Sequence, residues 1–387
     1  MAKDAQLGER IVWQGKPSET RTPGLFRATS AVLFVVAATS LCFAVVSAWA
    51  LSRSPAPFLI LSLLSTSLAI ASLILPRQWL DKVEYLVTEH HVVWRRGPLR
   101  RVIQRRSISY ARILWSPHRA GVGTIELVRA VPTGALRRRL LLQLHGLAAP
   151  SNVLAIIRGR PLCATANARY LPLVQRLDPG EQLLWSAQPR RSIQNYVPHG
   201  KRRWLTLCIA AALGTATSVL AFKMSSNLKL LVELGLGEHQ GAFFALLLGE
   251  MLAASLVVTV TAHMAYTAVF LPPRQLRHTH YLLTDRRVLI QRQREELHLD
   301  RRQIVEVIES PGSHGLHDLF LVLDGPRARA LAVSGAFGET QPDDTLRPIF
   351  QNLSDTEGIL QLLLDQRKLG PTDGRANKGE SVLRTSG

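Results

Sequence analysis

The sequence predicts a multi-pass α-helical membrane protein bearing two cytoplasmic β-rich modules, and three observations lead there. Apolar runs long enough to cross a bilayer come in two pairs. Lys and Arg crowd the same flanks of each pair. One polar sentence follows both, as YLVTEHHVVWRRG from Tyr85 and as YLLTDRRVLIQRQ from Tyr281.

A hydrophobic content of 47% is ordinary for a soluble protein, so distribution decides the class. Ala28 to Leu51 runs 24 residues without a formal charge, and Ala56 to Leu75 adds 20 more after Ser52-Arg53-Ser54-Pro55. A span needs about 20 apolar residues, so these form a predicted transmembrane hairpin. Trp204 to Phe222 and Gly241 to Leu271 form a second. The first run begins after 27 residues and lacks a small-residue cleavage context, which argues against a secretory signal.

Charge sets the expected orientation. Lys16, Arg21 and Arg27 precede the first span and Arg77, Lys82, Arg95 and Arg96 follow the second, whereas the turn between them holds only Arg53. The second hairpin is flanked in the same way, so both termini and both polar modules are expected in the cytoplasm. The formal charge of +19 fits a surface beside anionic lipid. Nucleic acid is not expected, because no helix-turn-helix, metal-finger or aromatic RNA-binding pattern is present. Cys42, Cys163 and Cys208 have no paired spacing and suggest neither a disulfide framework nor a metal centre.

The units read as an internal repeat. GERIVWQGKP from Gly8 matches GEQLLWSAQP from Gly180; PRQWLDKVEYLVT from Pro76 matches PRQLRHTHYLLT from Pro273; Arg105-Arg106 and Ile108 match Arg301-Arg302 and Ile304. Ordered matches at several places argue for duplication. The expected organisation is a cytoplasmic segment 1–27, a hairpin 28–75, a module 76–160, a linker and start of the second unit 161–203, a hairpin 204–272, a module 273–366 and a disordered tail 367–387. Short apolar runs punctuated by turns, such as Val83 to Val87 and His91 to Trp94, predict an antiparallel barrel or curved sheet in each module. A capped helix, from Ala149 in one module and from Ser354 in the other, should close it. The run ARALAVSG, Ala328 to Gly335, is expected as a strand of the second module.

With PRQWLDKVEYLVTEHHVVWRRG and PRQLRHTHYLLTDRRVLIQRQ in place, followed by QRRSISYARI and DRRQIVEVIE, the chain resembles a family of bacterial pleckstrin-homology-like membrane proteins, formerly a domain of unknown function. In that family a transmembrane helix pair precedes a PH-like module. The resemblance covers nearly the whole chain as two copies. It implies a bent antiparallel sheet closed by a C-terminal helix in a bacterial inner membrane, and it implies no catalytic residues.

Candidate functional residues fall into two groups. Arg95, Arg96, Arg100, Arg101, Arg105 and Arg106, with Arg286 and Arg287 in the second unit, are expected to meet lipid phosphates or an acidic partner. Within the fourth span, His263 lies roughly 14 Å and Glu250 roughly 33 Å from Pro272 along a helix. His263 is expected to bond a neighbouring span and Glu250 to approach the outer interface. Tyr85, Tyr281, Thr88 and Thr284 read as fold residues, and Trp13 and Trp185 either anchor at the membrane interface or close the modules. No cofactor, metal set, phosphate-binding loop or nucleophile elbow is indicated. The expected role is noncatalytic: a membrane scaffold or accessory subunit that contacts a protein partner, with membrane phospholipids and a homo-oligomer as further partners. A transport or export component and an anionic-lipid sensor are the alternatives.

Overall fold

The computed structural model describes residues 9–19, 24–49, 54–130, 138–190, 196, 201–233, 240–311, 315–323 and 346–368. The expected ARALAVSG strand and the tail from residue 369 lie outside them.

Helices α1 (Gly24–Trp49) and α2 (Ala56–Asp81) have 26 residues each, about 39 Å of helix. Their packing is that of a membrane hairpin. Ser30, Ala37, Ser40 and Ala69 are buried between helices while Leu59, Ile60, Leu63 and Leu64 point outward, because lipid accepts large apolar side chains and small residues let backbones approach. The Ser30 hydroxyl donates to Ala69 O at 3.1 Å and that of Ser62 to Ala37 O at 3.0 Å. Helix α2 continues beyond residue 75 through Pro76 to Asp81, so Trp79 rides on a helical extension below the span.

The second hairpin comprises α4 (Lys201–Glu233) and α5 (Gln240–Ala265), after the short α3 (Pro150–Arg158) of the first module. A π-helical turn, Tyr266–Phe270, leads from α5 into α6 (Leu271–Arg277), whose first turn holds Pro272 and Pro273. The Leu271 N–H bonds Tyr266 O just ahead of the two prolines, which have no N–H to donate to the turn behind them. Among the described residues three helices are long and apolar enough to cross a membrane, Gly24–Ala48, Ala56–Asp81 and Leu248–Arg277. In α4 the apolar stretch is the shorter Arg203–Val219. Helix α5 packs on both α1 and α4, with Gly249 placed against Cys42 of α1.

The sheets are antiparallel and open. β1 (Ile11–Gly15), β2 (Val83–Thr88), β3 (His91–Arg96) and β4 (Leu99–Gln104) form one four-stranded sheet. β5 (Tyr110–Trp115), β6 (Val122–Ala130) and β7 (Arg138–Ala148) follow. The second unit supplies β8 (Leu183–Ala187), β9 (Thr279–Thr284), β10 (Arg287–Arg292) and β11 (Glu295–Asp300). A separate three-stranded sheet holds β12 (Ile304–Pro311), β13 (His317–Leu323) and β14 (Ile349–Leu353). Strand β5 pairs with β11, so one seven-stranded sheet, β7-β6-β5-β11-β10-β9-β8, runs through both units. This corrects the barrel expectation. The edges that a barrel would close within each unit, β5 and β11, are taken by each other.

The shared sheet separates two cores. Ala111, Ile113 and Trp115 of β5 face the first core, with Val153, Leu154 and Ile157 of α3 across it. Tyr110 on the opposite face of β5 enters the second core, beside Leu297 and Leu299 of β11 and Ile359 of α7 (Glu357–Lys368). The period of two along a strand forces this division. The segment between the units is packed as well: Leu173 is buried against Leu282 and Leu289.

Candidate functional site

The matched motifs first build an internal latch. In each unit a strand ahead of the hairpin, β1 or β8, pairs with the strand that follows it, β2 or β9. The glutamate just before that strand then grips the Tyr-x-x-Thr turn. Glu9 accepts from the Thr88 hydroxyl at 2.5 Å and meets His91 Nδ1 at 2.8 Å. Glu181 accepts from the Thr284 hydroxyl at 2.7 Å and from Arg287 Nε and Nη2 at 2.8 and 2.7 Å. The Thr88 hydrogen bond, then that of His91, holds the Glu9 carboxyl below its ordinary value.

The tyrosines complete the latch. The Tyr85 hydroxyl accepts the His145 N–H at 2.8 Å and that of Tyr281 accepts the Gln351 N–H at 2.9 Å, tying the first strands of each unit to the last. Burial pushes Tyr85 up to about 12. Trp13 and Trp185 pack on the two cores, and Trp185 lies 5.7 Å from Phe350.

The densest polar cluster sits on the β5–β11 seam. Arg176 meets Glu296 at 2.5 Å, both side chains being 3% exposed. Arg158 donates to His298 O at 2.8 Å and pairs with Asp300 at 2.9 Å, where Arg160 also pairs. Arg287 reaches Asp178 at 3.2 Å besides Glu181. Burial, with Arg287 and Arg158 nearby, pushes His298 down to about 4, so the imidazole is neutral at pH 7. Burial raises Glu296, but the nearby His298 ring, 3.7 Å away, and the Arg176 charge outweigh it and leave the carboxyl below its ordinary value. Charges this deep are tolerated only as pairs, and each one in the cluster has its partner there. The space it encloses is about 30 Å³, room for roughly one water.

Among the described residues no group of three His, Cys, Asp or Glu is arranged to hold a metal. The chain matches no protein-family model, no curated protein and no solved structure. The chemistry of the site therefore rests on its own geometry.

The predicted arginines divide. Arg100 and Arg101 on β4, and Arg106 after it, are exposed. Arg95 and Arg96 are half-buried, and the Arg96 guanidinium lies 3.7 Å over the Trp79 ring. Arg105 turns inward: Nε donates to Ile157 O at 2.6 Å and Nη2 to Ile156 O at 2.7 Å, satisfying carbonyls at the end of α3. Arg286 is exposed with Asp285 at 3.6 Å. Arg287 is 7% exposed, and its bidentate bond to Glu181 holds it inside the protein, away from lipid phosphate.

The intramembrane pair is also divided. Glu250 is half-buried next to Gly249. His263 is exposed on α5. Thr261 is the residue that faces α4, with Cγ2 beside Gly214; His263, two positions on, is turned about 200° round the helix from it.

Sequence reasoning did not single out Glu9, Glu181, Arg158, Arg176, Glu296 or His298. The two glutamates carried a signal, since Gly-Glu opens both matched segments. One further concavity borders the membrane. A cleft of about 640 Å³ lies between the start of α1, the end of α2 and strands β5 to β7, lined by Phe26, Arg27, Leu75, Trp79, Trp115 and His145 among others.

Proposed function

We propose that this chain is a noncatalytic scaffold or accessory subunit of a bacterial inner membrane, made of two duplicated PH-like modules held on the cytoplasmic side by their helical hairpins. The observation that carries the reading is the β5–β11 pairing. It joins two modules across a buried ionic seam into one continuous sheet, which suits a platform for holding a partner. The exposed Arg100 and Arg101 on β4 offer that partner a basic strand edge.

Purification in mild detergent tests the proposal. A stoichiometric protein that copurifies through the soluble modules is expected. A single bare chain at every protein concentration would refute the scaffold.

Anionic-lipid contact is a second reading, favoured by the membrane-side cleft with Arg27 at its wall. Arg27→Glu is expected to lower the anionic phospholipid retained by the purified protein. Unchanged retention removes the cleft from consideration.

A further inference from the structure

The pairing of β5 with β11 is heterologous, because a strand of one unit meets a different strand of the other. Such a contact leaves its two complementary edges unused at the ends. At the spacing that matches Tyr85 to Tyr281 and Ile108 to Ile304, β4 is the counterpart of β11 and β12 the counterpart of β5. Among the described residues β4 pairs only with β3, and β12 only with β13. The burial differs as this predicts. Strand β11 is mostly buried, whereas Leu99, Arg100, Arg101, Val102 and Gln104 of β4 are exposed.

The open backbone groups fall in register. Arg105 N–H bonds His90 O, and antiparallel alternation then turns the N–H groups of Arg100 and Val102 away from β3. Leu321 N–H bonds Pro348 O toward β14, so the same alternation turns those of Val307 and Glu309 away from β13. Inside the chain the corresponding rungs are Ala111 opposite His298 and Ile113 opposite Glu296. Carried to the open edges, they set Val307 opposite Val102 and Glu309 opposite Arg100.

We infer that β12 of one copy pairs antiparallel with β4 of a second copy, repeating between chains the strand contact made between units. This rests on the scaffold reading and names its partner. Charge supports the choice: arginine on an open edge repels most strands, but here the opposing edge carries a carboxylate at the matching rung. Glu309 already meets His317 and the Thr356 hydroxyl, both at Oε1. An arginine from the next copy would complete that cluster.

The membrane constrains the assembly. Strands β1 and β2 join the two ends of the first hairpin, β8 and β9 those of the second, and β5–β11 pairing puts both sheets on one side. The step from unit to unit must then keep the membrane normal, so repeating it gives a ring or an arc in the membrane plane.

Particle mass in nanodiscs or mild detergent tests this. The full chain is expected at multiples of 42.8 kDa, and Val102→Pro, which removes an outward N–H unused among the described residues, is expected to give single chains with unchanged helix content. Arg100→Glu and Glu309→Arg alone should each dissociate the assembly, and the two together should restore it. A wild-type assembly that survives Val102→Pro, or a double variant that stays dissociated, overturns the pairing. A single chain holding a stoichiometric foreign protein on β4 overturns the second copy while keeping the scaffold. A single bare chain refutes both.

Discussion

Replacing Arg176 by leucine would cut the seam at its most deeply buried contact. Glu296, 3% exposed, would lose the guanidinium at 2.5 Å and keep only Gln291 at 3.5 Å and His298 at 3.7 Å. Breaking one side of such a pair costs about 3–5 kcal/mol, because a charge is left in a medium that solvates it poorly. The effect should concentrate where β5 meets β11. Hydrogen exchange of the Ala111, Ile113 and His298 amides reads it there, and at about 1.4 kcal/mol per factor of ten the expected acceleration is on the order of 10²–10³. Removing both charges, as Arg176→Leu with Glu296→Leu, should return exchange to within about tenfold of wild type, since an apolar pair of similar volume needs no compensation. Acid should also relieve the single variant: without its cation the buried Glu296 carboxyl rises above its unfolded value, and protonation then removes the penalty. A single variant within about threefold of wild type, or a double variant as fast as the single, would refute the assignment of seam stability to this pair.

Other expectations follow from the same geometry. His298 is depressed to about 4 by burial, so its contribution is present above the unfolded value near 6.5 and is lost as pH falls toward 4; protease cleavage at the seam should rise across that window and flatten in His298→Asn. Tyr85→Phe and Tyr281→Phe each leave a backbone N–H without its acceptor and should cost about 1–3 kcal/mol, measured by thermal unfolding. Gln293 adopts φ 54° at the β10–β11 turn, where the matched first-unit position is Gly97 with φ 53°. Gln293→Gly should therefore raise the melting temperature of the second module, by an amount matching about 1 kcal/mol of relieved strain.

The membrane part was legible because hydropathy alone selects it: a run such as Ala28 to Leu51 has few other stable environments. The small polar residues within it, Ser30 and Ser62, could not be assigned partners from spacing, since their acceptors lie on the other helix. Individual strands were legible from alternation and turns. Their closure was not. A barrel and an open sheet share the same period of two, and only the edge chosen by β5 separates them. The arginines show the same limit. Arg105 and Arg100 are alike as sequence, yet one caps α3 and the other stands in solvent.

The amino-acid order by itself determined that long apolar runs form membrane-spanning helices and that one motif recurs after each hairpin, because burial of apolar runs and turn chemistry act over a few neighbouring residues. Only the tertiary structure decided that Glu9 and Glu181 latch the threonine turns, that Arg287 is buried, and that two modules share one sheet. Those outcomes depend on which distant backbone edges and charges meet. Unlike hydropathy, such pairings have no signature in the local sequence, because each partner is satisfied only by groups that the fold brings from far along the chain.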